Sequence, residues 1–401
     1  MLTLQQAQAA IGERLQRAVT MEPVPVRQAL GRFTAAEVRA RVDNPAFDNS
    51  AMDGYACRSA DLASHQQRLP VQGESRCGSA PGVLAPGTAM RIFTGAPLPM
   101  GADAVAMQED ITLEKGVALF PADIISGTSV RRRGEDFRAH ELLYARGRRL
   151  SAYDLALLAA AGIEWVQVYA RPRVLVIATG DELVAPGTPL KPGQIYESNR
   201  LATLVQLEQL GADAVDGGTV PDDPAALRAL LKSSGEYDFV ITSGGASVGD
   251  HDLVKQVFAE IGEINFWKAK IKPGKPLAFG RVGERTHFFA LPGNPVSSLV
   301  TFKLFVEPAL TAWSHGTYLM PELPAVAGNG FHRQAGRMEF LRAHLYTHDG
   351  QLVATVLPGQ GSHMLGTLRN TNGYIKIGED STGFKQGDTI TAIPQIGRAH
   401  V

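Results

Sequence analysis

Residues 173–183 read RVLVIATGDEL, an apolar segment that runs directly into a glycine and two carboxylates. Similar segments recur as DFVITSGG at residues 238–245 and HFFALPGNP at residues 287–295. Helical periodicity occupies the stretches between them, for example Asn199 to Leu210, where leucines at 201, 204, 207 and 210 are predicted to face inward. Apolar strands that alternate with helices predict a three-layer α/β domain with a mostly parallel sheet.

Outside this region the sequence pattern changes, and a multidomain α/β plus β protein of four parts is predicted. Short apolar runs broken by Pro and Gly indicate an inserted β-rich domain, and short strands near the C-terminus indicate a small barrel or sandwich. Helices predicted at residues 4–18 and 153–161 flank the insertion, with Ser151 as N-cap and Gly162 as stop of the second. The predicted domains are a discontinuous small helical and extended domain (1–41 plus 150–170), the inserted β-rich domain (42–149), the α/β domain (171–320) and a C-terminal β-barrel-like domain (321–401).

The composition excludes several classes of protein. The 401 residues include 39 Lys and Arg against 40 Asp and Glu, so no protein-wide basic field exists to attract nucleic acid. Two cysteines, Cys57 and Cys77, cannot build a disulfide framework or a Cys-rich zinc site. No signal-peptide pattern is read at the N-terminus, and the longest apolar run, residues 155–163, is too short to cross a bilayer. We therefore expect a cytoplasmic protein without membrane or nucleic-acid partners.

Three polar loops follow the predicted strands, at the sheet edge where α/β proteins bind ligands. They contain Thr179 to Glu182, Ser243 to Asp252, and Leu291 to Pro295. Glycine-rich loops and helix N-termini suit phosphate, and neighbouring carboxylates suit Mg²⁺. Each loop alone could be a simple turn, and Asp181 or Asp252 a simple helix cap. Together they predict a phosphorylated ligand with a metal, although neither the Walker A motif nor the dinucleotide fingerprint is present.

Further candidate residues lie in other motifs. Lys272-Pro273-Gly274-Lys275-Pro276 presents two ammonium groups on a stiff turn, which suits an oxyanion, although a solvated turn between strands is the alternative. In NSAMDGYA and RRRGED, Asp53 and Asp136 are acids that packing does not require, while the arginine run could bind an anion or simply be solvated. His251 and His363 are interpreted as structural.

Nine motifs in order, NSAMDGYA, TGAPLP, GADAV, RRRGED, TGDEL, SGG-x-SVG, KPGKP, LPGNPVS and GSHML, resemble those of the molybdopterin molybdenumtransferase family, bacterial relatives of the gephyrin E domain. The resemblance covers nearly the whole chain. It implies insertion of molybdate into adenylylated molybdopterin with release of AMP, with Mg²⁺ as cofactor. It also implies a homodimer with a site shared between subunits, and the molybdopterin adenylyltransferase as a partner.

The same resemblance implies roles for individual residues. The implied catalytic residues are Asp53, Thr94, Asp136, Glu182, Asp222 and Asp252, of which Glu182 and Asp252 would also bind metal. The implied substrate-binding residues are Ser243, Gly244, Gly245, Ser247, Gly249, Lys272, Lys275, Pro292, Gly293, Asn294 and Pro295.

The sequence departs from the family pattern at a few positions. Ala246 stands where Val is common, and Asp250 stands where Glu is common, so a direct ligand contact by Asp250 is left open. Two other functions remain as alternatives: the molybdopterin adenylyltransferase, which has a similar α/β domain, and a non-catalytic scaffold like gephyrin. The inserted and C-terminal domains speak against the first, and the lack of a long linker speaks against the second.

Overall fold

In the computed structural model, residues 1–244 and 253–395 are described, and the chain divides into two compact units. The first unit comprises Met1–Glu22, Gly31–Phe33 and Tyr169–Val401, and the second comprises Pro23–Leu30 and Thr34–Val168. None of the helices within the described ranges is both long and apolar enough to cross a membrane. The four domain boundaries expected from the sequence stay a prediction.

The centre of the first unit is a six-stranded sheet. Its strands, in spatial order, are Asp213–Val220, Arg173–Thr179, Phe239–Ser243, Thr286–Leu291, Pro276–Val282 and Gly262–Lys268. The first three pairings are parallel and the last two are antiparallel. The α/β fold class with a mostly parallel sheet is therefore confirmed, and an antiparallel edge that the sequence pattern did not reveal is added to it.

Helices pack against this sheet and bury its apolar side chains. They span Asn199–Gln209, Pro224–Ser233, Leu253–Ile261, Pro295–Thr301 and Glu307–Trp313, the last two joined by the π-helical stretch Phe302–Val306. Asp223 caps the second of these helices by accepting hydrogen bonds from two backbone N–H groups. The inward orientation predicted for Leu201 is wrong, because its side chain is 57% exposed, whereas Leu207 is fully buried. The helical period placed Leu207 correctly, but Leu201 lies outside the buried face.

The C-terminal part of this unit is a closed five-stranded barrel. The strand Met338–His348 closes the barrel by pairing with two strands, Gln351–Val356 and Gly373–Ile377. The remaining barrel strands are Leu323–Ala327 and Thr389–Pro394. The two-residue strand Ile271–Lys272 of the KPGKP turn pairs in parallel with the start of Met338–His348. The barrel-like C-terminal domain is confirmed, and the KPGKP turn is attached to it through the backbone.

The first unit contains several smaller elements as well. The N-terminal helix, Leu4–Arg14, is shorter than the predicted 4–18 because Leu15 has extended backbone angles. The other short elements are Leu183–Val184, Ile195–Tyr196, Ser234–Glu236, Phe331–His332, Leu365–Asn370 and Gly383–Phe384, while the strand Met21–Pro25 continues into the second unit.

The second unit is built on a six-stranded sheet of short strands. In spatial order these are Ala104–Met107, Gly54–Cys57, Ala89–Ile92, Arg68–Ser75, Val117–Leu119 and Thr112–Glu114. A helix at Ala152–Ala160 begins at Ser151, whose side chain forms a capping box with Asp154, and Gly162 follows it with a positive φ of 76°. The remaining elements are Val26–Gln28, Val38–Arg39, Asn49–Ser50, Ser59–Ser64, Gln108–Asp110, Val130–Arg131, Leu142–Tyr144 and Trp165–Tyr169, the last of which ends at the boundary of the unit.

Candidate functional site

The three predicted loops begin side by side at the carboxyl edge of the parallel strands. Ala178 is in register with Ser243, and Ser243 is in register with Leu291. The Gly244 backbone N–H donates to the Leu291 carbonyl at 3.0 Å. A side chain at Gly244 would contact Thr179, since its Cβ would lie 2.9 Å from the threonine hydroxyl. The sheet therefore holds the start of all three loops within contact of one another.

A cleft of about 1130 Å³ opens at this edge, within the first unit. Its volume exceeds the roughly 300–1,000 Å³ of ordinary small-ligand pockets, so it can hold a ligand of nucleotide size or larger. The predicted residues that line it are Glu182, Asp222, Ser243, Gly244, Lys272, Lys275, Pro292, Gly293, Asn294 and Pro295. The predicted residues Gly245, Ser247, Gly249, Asp250, His251 and Asp252 lie outside the described residues.

Acidic side chains occupy one wall of the cleft. Burial raises the pKa of Asp222, and the negative charges of Asp181 and Glu182 raise this pKa further. The Asp222 backbone N–H donates to the Asp181 carboxylate at 3.2 Å. The Glu182 carboxylate folds back over Gly180, where a Cβ would lie 2.5 Å from one of its oxygens. Three negative charges thus repel one another at the mouth of the loops, which favours an incoming cation.

Basic side chains also line the cleft. Lys272 and Lys275 come from the KPGKP turn, and Lys268 lies at the end of the preceding strand. The Lys272 ammonium lies 2.8 Å from the carboxylate of Glu339, which belongs to the barrel and is buried. Gly274 has a φ of 101° and packs so closely on the helical segment that a Cβ would lie 2.5 Å from the Thr301 methyl group. The turn is therefore held in place on two sides.

The barrel supplies cleft residues that sequence reasoning did not select. They are Arg337, Gln360, Gly361, Ser362, His363 and Leu365. His363, interpreted as structural from the sequence, lines the cleft; its presence in the GSHML motif was the available signal. The buried guanidinium of Arg342 fixes this loop by donating to the carbonyls of Gly359 and Gly361. The local sequence GRMEFLR did not mark Arg337 as a cleft residue, and the strand Gly262–Lys268 did not mark Lys268 as one.

The two ends of the cleft are joined by hydrogen bonds. The Asn199 side chain donates to the Gly293 carbonyl at 2.8 Å, which ties the start of one helix to the LPGNP loop. The Val296 backbone N–H donates to the Ser362 carbonyl at 3.0 Å, which ties the same loop to the barrel. The helix that begins at Pro295 therefore has its N-terminus at the cleft, where its dipole favours negative charge.

In the second unit, Asp53 and Thr94 form a local pair. One carboxylate oxygen of Asp53 accepts from the Thr94 backbone N–H at 2.7 Å and from its hydroxyl at 2.8 Å. These hydrogen bonds, with a smaller contribution from the charge of Arg91, keep the pKa of Asp53 below its ordinary value. The pairing leaves the second oxygen of an ionised, partly exposed carboxylate available to other groups.

The RRRGED motif is largely occupied by internal contacts. Asp136 accepts from the Asn44 side-chain amide at 2.9 Å. Arg132 forms an ion pair with Asp48, and Arg133 forms one with Asp43. Of the two possibilities left open for this arginine run, anion binding has no support from Arg132 and Arg133, whose charges are compensated by these aspartates.

The predicted site residues thus fall into two groups. Asp53, Thr94 and Asp136 belong to the second unit, while Glu182, Asp222 and the basic turn belong to the first. The first group offers a carboxylate of lowered pKa, and the second offers lysines and carboxylates that line one cleft. Such a cleft can bind a phosphate-bearing anion together with a cation.

Comparison with known proteins agrees with this arrangement along the whole chain. Residues 2–162 match the MoeA N-terminal region (domain I and II), residues 175–312 match a probable molybdopterin binding domain, and residues 324–395 match the MoeA C-terminal region (domain IV). The molybdopterin molybdenumtransferase of Haemophilus influenzae is 38% identical over 404 residues, covering 98% of both chains. Molybdopterin molybdenumtransferase 2 of Mycobacterium tuberculosis is 37% identical, covering 95% of this chain and 96% of the relative.

A solved structure is also similar over the full length. The molybdopterin biosynthesis moeA protein from Pyrococcus horikoshii superposes with a TM-score of 0.83 at 29% identity, covering 98% of this chain and 100% of that chain. The chain belongs to the MoeA family of molybdopterin molybdenumtransferases.

Proposed function

We propose that the protein is a transferase that inserts molybdate into adenylylated molybdopterin and releases AMP. The observation that carries this proposal is the cleft at the carboxyl edge of the sheet, which is lined by lysines, a helix N-terminus and carboxylates. Its volume suits a pterin nucleotide rather than a small metabolite. The names of the relatives supply the reaction class, since proteins similar to this chain over nearly their full length are named molybdopterin molybdenumtransferases.

The chemistry requires two anions, the phosphate groups of the pterin nucleotide and molybdate, to approach each other. Lys268, Lys272 and Lys275 would offset this repulsion, and the N-terminus of the helix at Pro295 would add partial positive charge. In the proposed reaction water attacks the phosphorus of the AMP group, the bond between the two phosphates breaks, and the same groups stabilise the negative charge on the AMP and the pterin phosphate that result. The two dithiolene thiols then bind molybdenum as thiolates, and their protons leave with one displaced molybdate oxygen as water.

Mg²⁺ fits the acidic wall of the cleft. The charges of Asp181 and Glu182 raise the pKa of the partly buried Asp222, and a cation would relieve this repulsion. In the part of the chain that the structure describes, no three His, Cys, Asp or Glu side chains converge as a complete metal site. That agrees with Mg²⁺, which takes one or two carboxylates and fills its remaining positions with phosphate oxygens and water. Bound there, Mg²⁺ would neutralise phosphate charge, with Glu182 and Asp222 holding it and Asp252 as a further ligand expected from the family.

The proposal extends to a homodimer in which each site draws on both subunits. The candidate acids are divided between the two compact units, with Asp53 in one and Glu182 in the other. The resemblance to the family implies a site between the α/β domain of one subunit and the inserted domain of its partner. The molybdopterin adenylyltransferase, which would supply the adenylylated substrate, is proposed as a protein partner.

Reconstitution with purified components tests the reaction. Wild-type protein, adenylylated molybdopterin, molybdate and Mg²⁺ should yield AMP and molybdenum cofactor, measured by chromatography and by activation of a cofactor-free molybdoenzyme. AMP release without metal insertion, or no product at all, would contradict the proposal. Incubation with molybdopterin and ATP is the control for an adenylyltransferase, and product in that arm alone would favour this alternative.

A mixing experiment tests the shared site. Co-expressed Asp53→Ala and Glu182→Gln chains, each inactive alone, should form heterodimers with one intact and one doubly damaged site. Activity should return to at most about half of the wild-type value per heterodimer, because a symmetric dimer has two equivalent sites. If both residues serve the site of the same chain, no activity returns.

A further inference from the structure

The basic turn of the cleft is connected to a buried carboxylate of the barrel. Glu339 is only 2% exposed, yet its carboxylate lies 2.8 Å from the ammonium group of Lys272, whose side chain is about half exposed. The other oxygen of Glu339 lies 3.5 Å from the guanidinium of Arg333, which is itself buried. The ammonium group of a lysine in the cleft therefore contacts a carboxylate that is buried from solvent.

The backbone fixes both partners of this contact. Lys272 and Glu339 are register partners in a parallel strand pair, and the Met338 N–H donates to the Lys270 carbonyl at 2.8 Å. Arg333 is held independently of Glu339, since its guanidinium also donates to the carbonyl oxygens of Arg337, Gly378 and Ser381. The carboxylate therefore has a defined position before any ligand arrives.

The charges of this cluster do not cancel. Two cations, Lys272 and Arg333, share one carboxylate, so the cluster retains one positive charge. Arg333 is buried and only Lys272 lines the cleft, so this charge is presented to a ligand through Lys272. A lysine restrained in this way loses less side-chain entropy on binding an anion than a free one does.

We propose that Glu339 is a positioning residue, which acts through Lys272 to orient its ammonium group toward the phosphate of the bound pterin nucleotide. This inference rests on the proposed function for the identity of the ligand. It assigns to the barrel a role in substrate binding through Lys272, in addition to the barrel loop residues that line the cleft directly.

A neighbouring ion pair provides a matched control. Lys270 and Glu379 join the same turn to the same barrel, with 3.6 Å between the ammonium and the carboxylate. Neither residue lines the cleft. Glu379→Gln therefore removes one ion pair between the turn and the barrel, while it keeps the Glu379 backbone carbonyl that accepts from Arg333 at 3.1 Å and leaves the side chains of Lys272, Glu339 and Arg333 in place.

The experiment measures the Kd of adenylylated molybdopterin by calorimetry and the KM and kcat of cofactor formation. Glu339→Gln should raise Kd and KM about fivefold or more with a smaller change in kcat, because the ammonium group of Lys272 is then no longer held in position for the substrate. Glu339→Asp should recover part of this loss. In a Lys272→Met background, Glu339→Gln should add no further change, and Glu379→Gln should leave Kd and KM unchanged.

Several results would overturn the inference. They are an equal effect of Glu339→Gln with and without Lys272, an equal effect of Glu379→Gln, or an unchanged Kd in Glu339→Gln. If Glu339→Gln does not fold, Glu339→Asp with and without Lys272→Met makes the same comparison. The Kd measurement also separates the two proposals: wild-type protein that binds the nucleotide without forming cofactor refutes the function but still tests Glu339.

Discussion

The tight packing of Gly274 predicts a strong effect of a single methyl group. Gly274 has a φ of 101°, a conformation that side chains with a Cβ rarely adopt. In Gly274→Ala the new Cβ would lie 2.5 Å from the Thr301 methyl, 3.4 Å from the Ile271 side chain and 3.5 Å from the Ser297 carbonyl. The substitution therefore combines backbone strain with overpacking at the base of the KPGKP turn.

The size of the effect follows from these two contributions. A residue with a Cβ in left-handed backbone geometry costs roughly 1–2 kcal/mol. One extra carbon in a packed contact costs typically about 1–3 kcal/mol. We expect Gly274→Ala to lower the free energy of unfolding by about 2–4 kcal/mol, since part of the overlap relaxes by movement of the turn. That movement displaces Lys272 and Lys275, so the KM for the pterin nucleotide should rise as well.

Chemical denaturation and steady-state kinetics check this prediction, with Gly293→Ala as the matched control for stability. Gly293 lies in the same cleft, but nothing lies within 4 Å of its Cβ position and its φ is not positive. The free energy of unfolding of the Gly293→Ala protein should differ from that of the wild type by less than about 0.5 kcal/mol.

A second substitution separates the two contributions. Thr301→Ser removes the methyl group that the new Cβ of Gly274→Ala would meet, while the serine hydroxyl can still donate to the Ser297 carbonyl, a bond of 2.8 Å in the wild type. Combined with Gly274→Ala it should restore the overpacking part of the loss and leave the backbone part. If Gly274→Ala is as stable as the wild type, or if Thr301→Ser restores nothing, the reasoning from close packing is refuted.

Three further predictions concern stability and catalysis. Burial keeps the pKa of His287 below its ordinary value, so on acidification the unfolded chain takes up a proton before the folded chain does. The free energy of unfolding should therefore fall as the pH drops below about 6.5. In thermal unfolding curves recorded between about pH 5 and 8, His287→Phe should flatten this pH dependence. Asp53→Ala should fold normally and lose molybdenum insertion, because only Thr94 is paired with this carboxylate in the described structure; unchanged cofactor formation would contradict the role. Glu182→Gln should require more Mg²⁺ for half-maximal activity, and a magnesium titration with no difference from the wild type would refute the metal role.

The central sheet was predictable because its strands are apolar on both faces. Arg173–Thr179, Phe239–Ser243 and Thr286–Leu291 are nearly continuous runs of buried side chains, a pattern that few other structures produce. Helix starts were predictable for a local reason, since an aspartate followed by proline provides both cap and first turn. Two aspartates precede Pro224, and Asp223 is the cap while Asp222 lines the cleft.

The antiparallel edge of the sheet was not predictable from the same pattern. Pro276–Val282 is also largely buried, so its pattern does not distinguish an antiparallel strand from a parallel one, and the strand begins with the second proline of the turn, which masks its start. The contact between Lys272 and Glu339 was also hidden, because the residues are distant in sequence and meet only when a turn and a barrel pair. Local motifs identify residues with reactive chemistry, but they do not identify the partners that hold those residues in place.

This distinction explains why the barrel matters for function although the sequence motifs concentrate elsewhere. Arg337, Gln360 and Ser362 line the cleft from the barrel side. Arg342, fully buried within the barrel, holds the loop of Ser362 through two carbonyl oxygens. The α/β sheet alone would retain its acidic wall but lose these groups and the anchor of its basic turn. The complete cleft described above therefore needs both the α/β sheet and the barrel of the first unit.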